Sequence, residues 1–223
     1  MKSNVIASWS GGKDSCLALY RAMKQGYKIN NLLNFISKGS GRGCFHGLTA
    51  DLLKYQAKLM GFPLTQCAVS PDMKLYEEEF KQAVDRFIKK GARYMVFGDI
   101  YLLEHSSWVE RVCGELGINP VEPLWADDTL GLIDEFVDAG FKAVIVSCKA
   151  DVMGEEYLGR IIDKPLAKEL KAKGICPCGE NGEYHTLVVD GPIFAKPIQI
   201  LDSEKIKKQG FWEHWFLDIK YYQ

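Results

Sequence analysis

The chain has 223 residues, of which 47% are hydrophobic and 26% are charged, a balance typical of a globular protein with one large domain or two small ones. Its formal net charge is −1, from 28 basic and 29 acidic residues, which argues against a nucleic-acid binder that depends on overall positive charge. No apolar run approaches the roughly 20 residues of a membrane-spanning helix, and the seven dispersed cysteines indicate reduced thiols, so we expect a cytoplasmic protein without a membrane anchor.

Apolar strands and amphipathic helices are predicted to alternate along the first half of the chain. Strands are expected at residues 2–9, 31–36, 64–69 and 94–97, with a fifth at 142–147. Helices are expected at residues 16–23, 49–60, 73–90, 104–116 and 130–139. This alternation predicts an α/β fold with a doubly wound, mostly parallel sheet of order 3-2-1-4-5. We expect one domain at 1–125 and a smaller α/β domain at 126–223, with further strands at 187–189, 198–201 and 215–221.

A short polar loop follows the first strand and opens the first helix. Its residues are Ser10, Gly11, Gly12, Lys13, Asp14 and Ser15. Adjacent glycines allow a sharp turn and close approach of the backbone to an anion, while the N–H groups and dipole of a helix start favour negative charge. The Walker A pattern would require glycine at position 7 and serine or threonine at position 14, and neither is present. The loop therefore predicts a nucleotide-phosphate site of another kind.

Asp99 stands directly after the fourth predicted strand. In an open parallel sheet, ligands bind beyond the carboxyl ends of the strands, at the point where the strand order reverses. The order 3-2-1-4-5 makes the first and fourth strands neighbours there, so Asp99 is expected to face the phosphates and to bind Mg²⁺. A helix N-cap is the alternative role of this aspartate.

The segment at 178–186 reads CGENGEYHT and crowds polar groups onto a tight turn before an apolar strand. Glu180, Glu183 and His185 are candidates for binding a cation, for acid–base work or for holding an amine. A solvated turn with an incidental histidine is the alternative. Two further candidates are His46, which follows a glycine-rich loop, and Arg160, which is suited to a phosphate or carboxylate but also to a surface salt bridge.

Six short strings occur along the chain in a fixed order. They are SGGKDS at 10–15, GDI at 98–100, ERVC at 110–113, PLW at 123–125, LGR at 158–160 and CGENGEYHT at 178–186. Together they resemble the diphthine–ammonia ligase family of the PP-loop ATP pyrophosphatases, over residues 4–195. The resemblance implies an adenine-nucleotide α-hydrolase-like fold, ATP and Mg²⁺ as cofactors, ammonia as nitrogen donor and elongation factor 2 as protein substrate, with a homodimer left open and nucleic acid not expected.

The implied reaction is adenylation of a carboxylate on the α-phosphate of ATP, followed by amidation with ammonia, which yields AMP and pyrophosphate. In this interpretation the catalytic residues are Lys13, Glu183 and His185. The cofactor-binding residues are Ser10, Gly11, Gly12, Lys13, Asp14, Ser15 and Asp99, and the substrate-binding residues are His46, His105, Arg160, Glu180 and Tyr184. Free ammonia is the expected donor because no glutaminase module is present and residue 2 is not cysteine.

The chain departs from the family pattern at two histidines. Residues 104–108 read EHSSW where the family has Tyr-Gln followed by Arg, and His185 stands where the family has Glu. We expect both changes to lie in one acceptor pocket. Two other functions therefore stay open from the sequence alone, namely adenylation of another acceptor, such as a tRNA base or a small metabolite, and a non-catalytic ATP sensor.

Overall fold

The computed structural model describes residues 2–44, 46–209 and 213–223 and contains two sheets. The first sheet is parallel and has the order β3-β2-β1-β4-β5. Its strands are β1 Lys2–Ser8, β2 Tyr27–Ser37, β3 Leu64–Val69, β4 Tyr94–Val96 and β5 Asn119–Val121. The second sheet is antiparallel and has the order β7-β6-β9-β8. Its strands are β6 Lys142–Lys149, β7 Tyr184–Asp190, β8 Ile200–Gln209 and β9 Glu213–Tyr222.

Six α-helices lie in the described ranges, and the first four connect the parallel strands and cover both faces of their sheet. The six helices are α1 Lys13–Lys24, α2 Ala50–Leu59, α3 Met73–Ile88, α4 Leu103–Leu116, α5 Thr129–Asp138 and α6 Lys164–Ala172, with a 3₁₀ turn at Glu155–Tyr157. Side chains at the starts of four of these helices accept hydrogen bonds from N–H groups of the first turn. These caps are Thr49, Asp72, Asp128 and Asp163, and such a cap stabilises a helix by about 1 kcal/mol. None of the helices in the described ranges combines the length and apolarity needed to cross a bilayer.

The alternation of side chains along β1 divides the core into two parts. Val5 and Ala7 face one side of the sheet and pack with α1 and α2, whereas Ile6 faces the other side and packs with α3 and α4. The first of these clusters continues without a break into the antiparallel sheet and α6. The two sheets thus share one hydrophobic core.

The predicted order 3-2-1-4-5 is confirmed, but the identity of the fifth strand was wrong. Residues 142–147 belong to the antiparallel sheet as part of β6, and β5 at Asn119–Val121 occupies the fifth place. Pro120 lies in the middle of β5, and a proline in a short segment argues against predicting a strand, because proline cannot donate a ladder hydrogen bond. It is tolerated here because β5 is at the edge of the sheet. The strand expected at 198–201 is longer and runs from Ile200 to Gln209 as the edge strand β8.

The antiparallel sheet is attached at the carboxyl end of the parallel one. The Val188 N–H donates to the Gly11 carbonyl over 2.9 Å, and the Gln56 amide donates to both the Gly11 and the Val188 carbonyls. At a second place, Arg42 pairs with Asp218 of β9 over 2.7 Å. Strand β7 therefore lies against the loop that opens α1, which is the edge where ligands of parallel sheets bind.

Candidate active site

The loop before α1 has the geometry of an anion cradle. Gly11 has φ +84°, and a Cβ there would lie 2.4 Å from Leu53 Cδ2. At Gly12 a Cβ would lie 2.6 Å from His46 Cε1. The positive φ requires glycine at position 11, whereas Gly12 has φ −87° and a Cβ there would displace the His46 ring and lie 3.2 Å from the Thr186 carbonyl oxygen.

Two hydroxyl groups stand at the turn itself. Ser10 Oγ accepts a hydrogen bond from the Gly12 N–H over 3.2 Å and lies 3.1 Å from Ser15 Oγ. Ser15 Oγ in turn donates to the Gly12 carbonyl over 3.0 Å. The predicted cradle residues are thus brought together at the start of α1, with hydroxyl and backbone N–H groups in one small volume.

Lys13, predicted to bind the phosphates, is buried beside the cradle in this structure. It is 2% exposed, and its ammonium donates to Asp14 Oδ2 over 2.9 Å and to the Cys178 carbonyl, 4.9 Å above the Tyr184 ring. Burial alone would lower the pKa of Lys13, but the carboxylate of Asp14 outweighs that effect and raises it, so the side chain stays charged. The Lys13 ammonium therefore links α1 to the 178–186 segment inside the protein.

Thr186 completes the contact between the cradle and β7. Its hydroxyl accepts a hydrogen bond from the Lys13 N–H over 3.0 Å, so it serves one of the donors that a helix start leaves without an internal partner. Sequence reasoning missed this residue, because the bond joins positions that are 173 residues apart.

Glu183 supports its own loop in this structure. Its Oε1 accepts from the Cys176 N–H and from the Asn181 side chain, and its Oε2 accepts from the Asn181 N–H, at 3.0 to 3.1 Å. Tyr184 is 1% exposed and donates its hydroxyl hydrogen to the Pro177 carbonyl. These predicted catalytic and substrate-binding side chains thus shape the segment that lies over Lys13.

A cluster of titratable groups lies where Asp99 was expected to act. Ligand atoms of Asp99, His105 and Glu180 all lie within 4.8 Å of one another. His105 Nδ1 is 3.2 Å from Asp99 Oδ1, and Glu180 Oε1 accepts from the Ile100 N–H over 3.0 Å. The alternative role of Asp99 as a helix cap is not observed, since α4 has Leu102 at its N-cap position without a side-chain cap.

Burial and mutual repulsion change how these groups titrate. Burial raises the pKa of Glu180 to about 7, and the charges of Asp14 and Asp99 add to that rise. The hydrogen bond to Asp99 raises the pKa of His105. Repelling carboxylates of this kind favour a bound cation.

Glu122 joins this cluster and was missed in the sequence. Burial, with the charge of Asp99, raises its pKa to about 7, and its Oε1 is buried without a hydrogen-bond partner among the described residues. Ser106 Oγ lies 3.4 Å from its other oxygen. A polar residue directly after a parallel strand is the signal that would have revealed Glu122, but β5 itself was not recognised.

Three of the chain's four histidines form a second cluster beside the cradle. The rings of His46 and His185 are 4.6 Å apart at 34°, and His46 Nδ1 lies 3.0 Å from the Thr186 carbonyl oxygen. Burial lowers the pKa of His46 to about 4, and burial together with His46, Lys13 and His214 lowers the pKa of His185. His105, expected to lie in one acceptor pocket with His185, belongs instead to the Asp99 cluster, so the two histidines have different neighbours.

A cleft opens between the carboxyl ends of β1 and β2, next to the cradle. Its volume is about 110 Å³, and it is open to solvent. Its lining includes Ser8, Trp9, Ser10, Asn34, Phe35, Gly43, Cys44, His46 and Tyr76. Ser10 and His46 belong to both the cleft and the cradle, so a ligand that fills one extends into the other.

Arg160 takes no part in either cluster. Its guanidinium pairs with Glu169 over 2.8 Å and lies over the Tyr157 ring, with 39% of the side chain exposed. Arg160 thus forms a surface salt bridge, which the sequence analysis gave as the alternative to binding a phosphate or carboxylate.

Two family models match this chain almost from end to end. The diphthamide synthase N-terminal domain matches residues 1–120, and the diphthamide synthase C-terminal domain matches residues 128–223. The chain belongs to the diphthamide synthase family. The family resemblance of the sequence motifs is thereby confirmed. Within this member of the family, the first matched region carries the cradle, and the second carries the loop and the strand that lie against it.

Relatives named diphthine–ammonia ligase align over most of the chain. The protein from Schizosaccharomyces pombe is 28% identical over 227 residues, covering 91% of this chain and 37% of the relative. The Danio rerio protein is 26% identical, covering 91% of this chain and 88% of the relative, and the Homo sapiens protein is 28% identical, covering 91% and 84%. The chain thus spans about a third of the fission yeast protein and most of the two vertebrate ones.

Among solved structures, the predicted subunit of tRNA methyltransferase from Methanocaldococcus jannaschii superposes with a TM-score of 0.47. Its sequence is 18% identical, and the match covers 86% of this chain and 98% of that one.

Proposed function

We propose that this chain is an ATP-dependent amide ligase of the diphthine–ammonia ligase type, which activates a carboxylate as an acyl-adenylate and amidates it with ammonia. The proposal rests on family membership together with one structural observation. That observation is the SGGKDS cradle at the start of α1, at the central edge of the parallel sheet and closed by β7 of the second sheet.

The cradle suits the departing pyrophosphate. A carboxylate is a poor electrophile, so its attack on the α-phosphate of ATP creates a better leaving group than oxide. Ser10, Ser15 and the backbone of Gly11 and Gly12 would hold the β- and γ-phosphates, so that the α-phosphate faces the incoming carboxylate. Catalysis of this kind is mainly positioning and stabilisation of charge.

The cleft beside the cradle suits the nucleoside. It is continuous with the cradle through Ser10 and His46, and the Phe35 and Tyr76 side chains contribute apolar surface. A ligand with an aromatic base at one end and phosphates at the other fits this arrangement of apolar cleft and polar cradle.

The Asp99 cluster suits a magnesium ion. Mg²⁺ prefers oxygen ligands, so Asp99 and Glu180 would bind it, and His105 would orient Asp99 through their hydrogen bond. Glu122, whose Oε1 has no hydrogen-bond partner in the part of the chain that the structure describes, interacts electrostatically with Asp99, and a cation bound there would stabilise the charged form of both. Bound there, Mg²⁺ would neutralise charge on the leaving pyrophosphate.

The names of the relatives support diphthine and ammonia as substrates, and the family resemblance of the sequence motifs supports elongation factor 2 as the protein that carries the diphthine. We infer that the acceptor is the carboxylate of diphthine on elongation factor 2, with free ammonia as nitrogen donor. The product is then diphthamide, with one AMP and one pyrophosphate released for each amide formed.

The test is a reconstituted reaction with ATP, Mg²⁺, ammonium and elongation factor 2 that carries diphthine. We expect AMP and pyrophosphate in equal amounts, and a mass change of the acceptor peptide that corresponds to replacement of hydroxyl by amino. Elongation factor 2 without the modification is the matched control and should release no AMP. ADP as the product would overturn the mechanism, and tight ATP binding without turnover would indicate a sensor.

A further inference from the structure

We propose that His46 accepts, on Nε2, the proton that ammonia loses when it attacks the activated carboxylate. The inference rests on the proposed amidation and assigns its proton acceptor. His46 is brought to the cradle by a loop of the first domain and is oriented by a strand of the second.

The hydrogen bond to Thr186 determines the tautomer of His46. A carbonyl oxygen only accepts, so the Nδ1 atom, 3.0 Å from it, carries the hydrogen. The neutral ring then has its lone pair on Nε2. Thr186 is itself held in place, because its hydroxyl bonds the Lys13 N–H and its backbone pairs with Ile145 of β6.

The position of the ring places it at the reacting groups. A Cβ on Gly12 would lie 2.6 Å from His46 Cε1, so the ring lies directly on the cradle backbone. His46 also lines the cleft together with Ser10. A nucleotide that occupies both places would pass beside the imidazole.

The charged and titratable neighbours keep the ring neutral before the nucleotide binds. Lys13 on α1 and His185 on β7 face it, with His214 of β9 beside His185, and Cys44 precedes it on its own loop. Burial and the Lys13 charge disfavour the imidazolium. Phosphates bound at Gly12 would bring negative charge beside the ring and raise the pKa of His46. The base is therefore strengthened only when the nucleotide is present.

The proton transfer completes the amidation without another reactant. The nitrogen lone pair forms the C–N bond at the carbonyl carbon of the acyl-adenylate while the C=O π pair moves to oxygen, and one N–H proton passes to Nε2 while its electron pair stays on nitrogen. The C=O bond then forms again as the C–O bond to the phosphate breaks, and AMP leaves with the electron pair of that C–O bond. The imidazolium afterwards releases its proton to solvent, which the Lys13 charge favours.

The decisive variant is His46→Asn, because its Nδ2–H can still donate to the Thr186 carbonyl while no second ring nitrogen is present. Acceptor-dependent exchange of pyrophosphate into ATP measures adenylation, and amide formation measures the complete reaction. Because His46 also lines the cleft, the two rates are compared with each other: we expect amide formation from ammonia to fall about 100-fold further than pyrophosphate exchange does, a usual contribution of a general base.

Hydroxylamine provides the discriminating control. Its conjugate acid is much stronger than ammonium, so its adduct loses a proton to water with less help. We expect the fall in the rate of product formation caused by His46→Asn to be at least about tenfold smaller with hydroxylamine than with ammonia. Equal defects in exchange and in amide formation with both nucleophiles would show a structural role and overturn the proposal, as would full activity with ammonia.

A titration of the parent protein tests the inference without a variant. The His46 ring signal, followed by NMR against pH, should titrate at higher pH when a non-hydrolysable ATP analogue is bound. An unchanged or lower value would overturn the proposal. If the parent shows no pyrophosphate exchange with the diphthine-bearing acceptor, the proposed function itself fails, whereas loss confined to the ammonia step concerns only His46.

Discussion

Replacing Lys13 by methionine tests whether its ammonium serves mainly to join the two halves of the protein. Methionine keeps much of the apolar stem but removes the charge that Asp14 and the Cys178 carbonyl share at a 2%-exposed position. Breaking a buried ion pair by removing one partner costs about 3–5 kcal/mol, but the Asp14 side chain is 31% exposed and water can partly replace the cation. We therefore expect Lys13→Met to lower the free energy of unfolding by about 2–4 kcal/mol.

The measurement is urea unfolding followed by circular dichroism and by the fluorescence of the five tryptophans. The double variant Lys13→Met/Asp14→Asn is the matched control, because it removes the uncompensated carboxylate together with the cation. We expect the double variant to be at least about 1 kcal/mol more stable than Lys13→Met. The loss in the free energy of unfolding caused by Lys13→Met should also become smaller as the pH falls, because a protonated Asp14 carries no charge that needs a cation. A loss below about 1 kcal/mol, with no recovery in the double variant, would refute the assignment of Lys13 as a buried link.

Three further variants probe the cradle, the metal cluster and the contact between the sheets. Gly12→Ala would push a Cβ to within 2.6 Å of His46, and we expect ATP binding measured by calorimetry to weaken about tenfold or more. Asp99→Asn should raise the Mg²⁺ concentration for half-maximal AMP release about tenfold, because one anionic ligand is lost. Asp218→Asn should cost about 1–3 kcal/mol at pH 7 in urea unfolding. Burial would raise the pKa of Asp218, but Lys220 and Arg42 lower it below its usual 3.8, so its stabilisation is present above that pH and lost below it. The Asp218→Asn deficit should therefore vanish in acid, and a deficit that persists there would contradict the ion-pair explanation.

Much of the fold was accessible from local patterns. The order 3-2-1-4-5 followed from alternating strands and helices, and β3 was predicted at its observed bounds, Leu64–Val69. Strand β5 was not found, because three residues around Pro120 have no apolar periodicity and form a strand only by pairing with β4. The antiparallel pairing of β6 also escaped prediction, since a buried apolar run is the same in both kinds of sheet.

The candidate site shows the same division. The SGGKDS cradle could be inferred because a strand, two glycines and a helix start define it within a few residues, through backbone conformation and local hydrogen bonds. The position of Lys13 could not be inferred, because the Cys178 carbonyl that accepts from it lies 165 residues further along the chain. The direction of a flexible side chain is decided by which groups the fold brings within reach.

The sequence by itself determined the phosphate loop, the family and the parallel sheet, all of which rest on short-range conformational preferences or on ordered motifs. Only the tertiary structure decided which polar residues act together. It gave His105 and His185 different neighbours. It directed the Glu183 carboxylate toward N–H groups of its own loop. It also brought Thr186 to both Lys13 and His46, over separations of 173 and 140 residues. The physical reason is that two sheets share one core, and their packing against each other sets the partners of Lys13, His46 and Thr186.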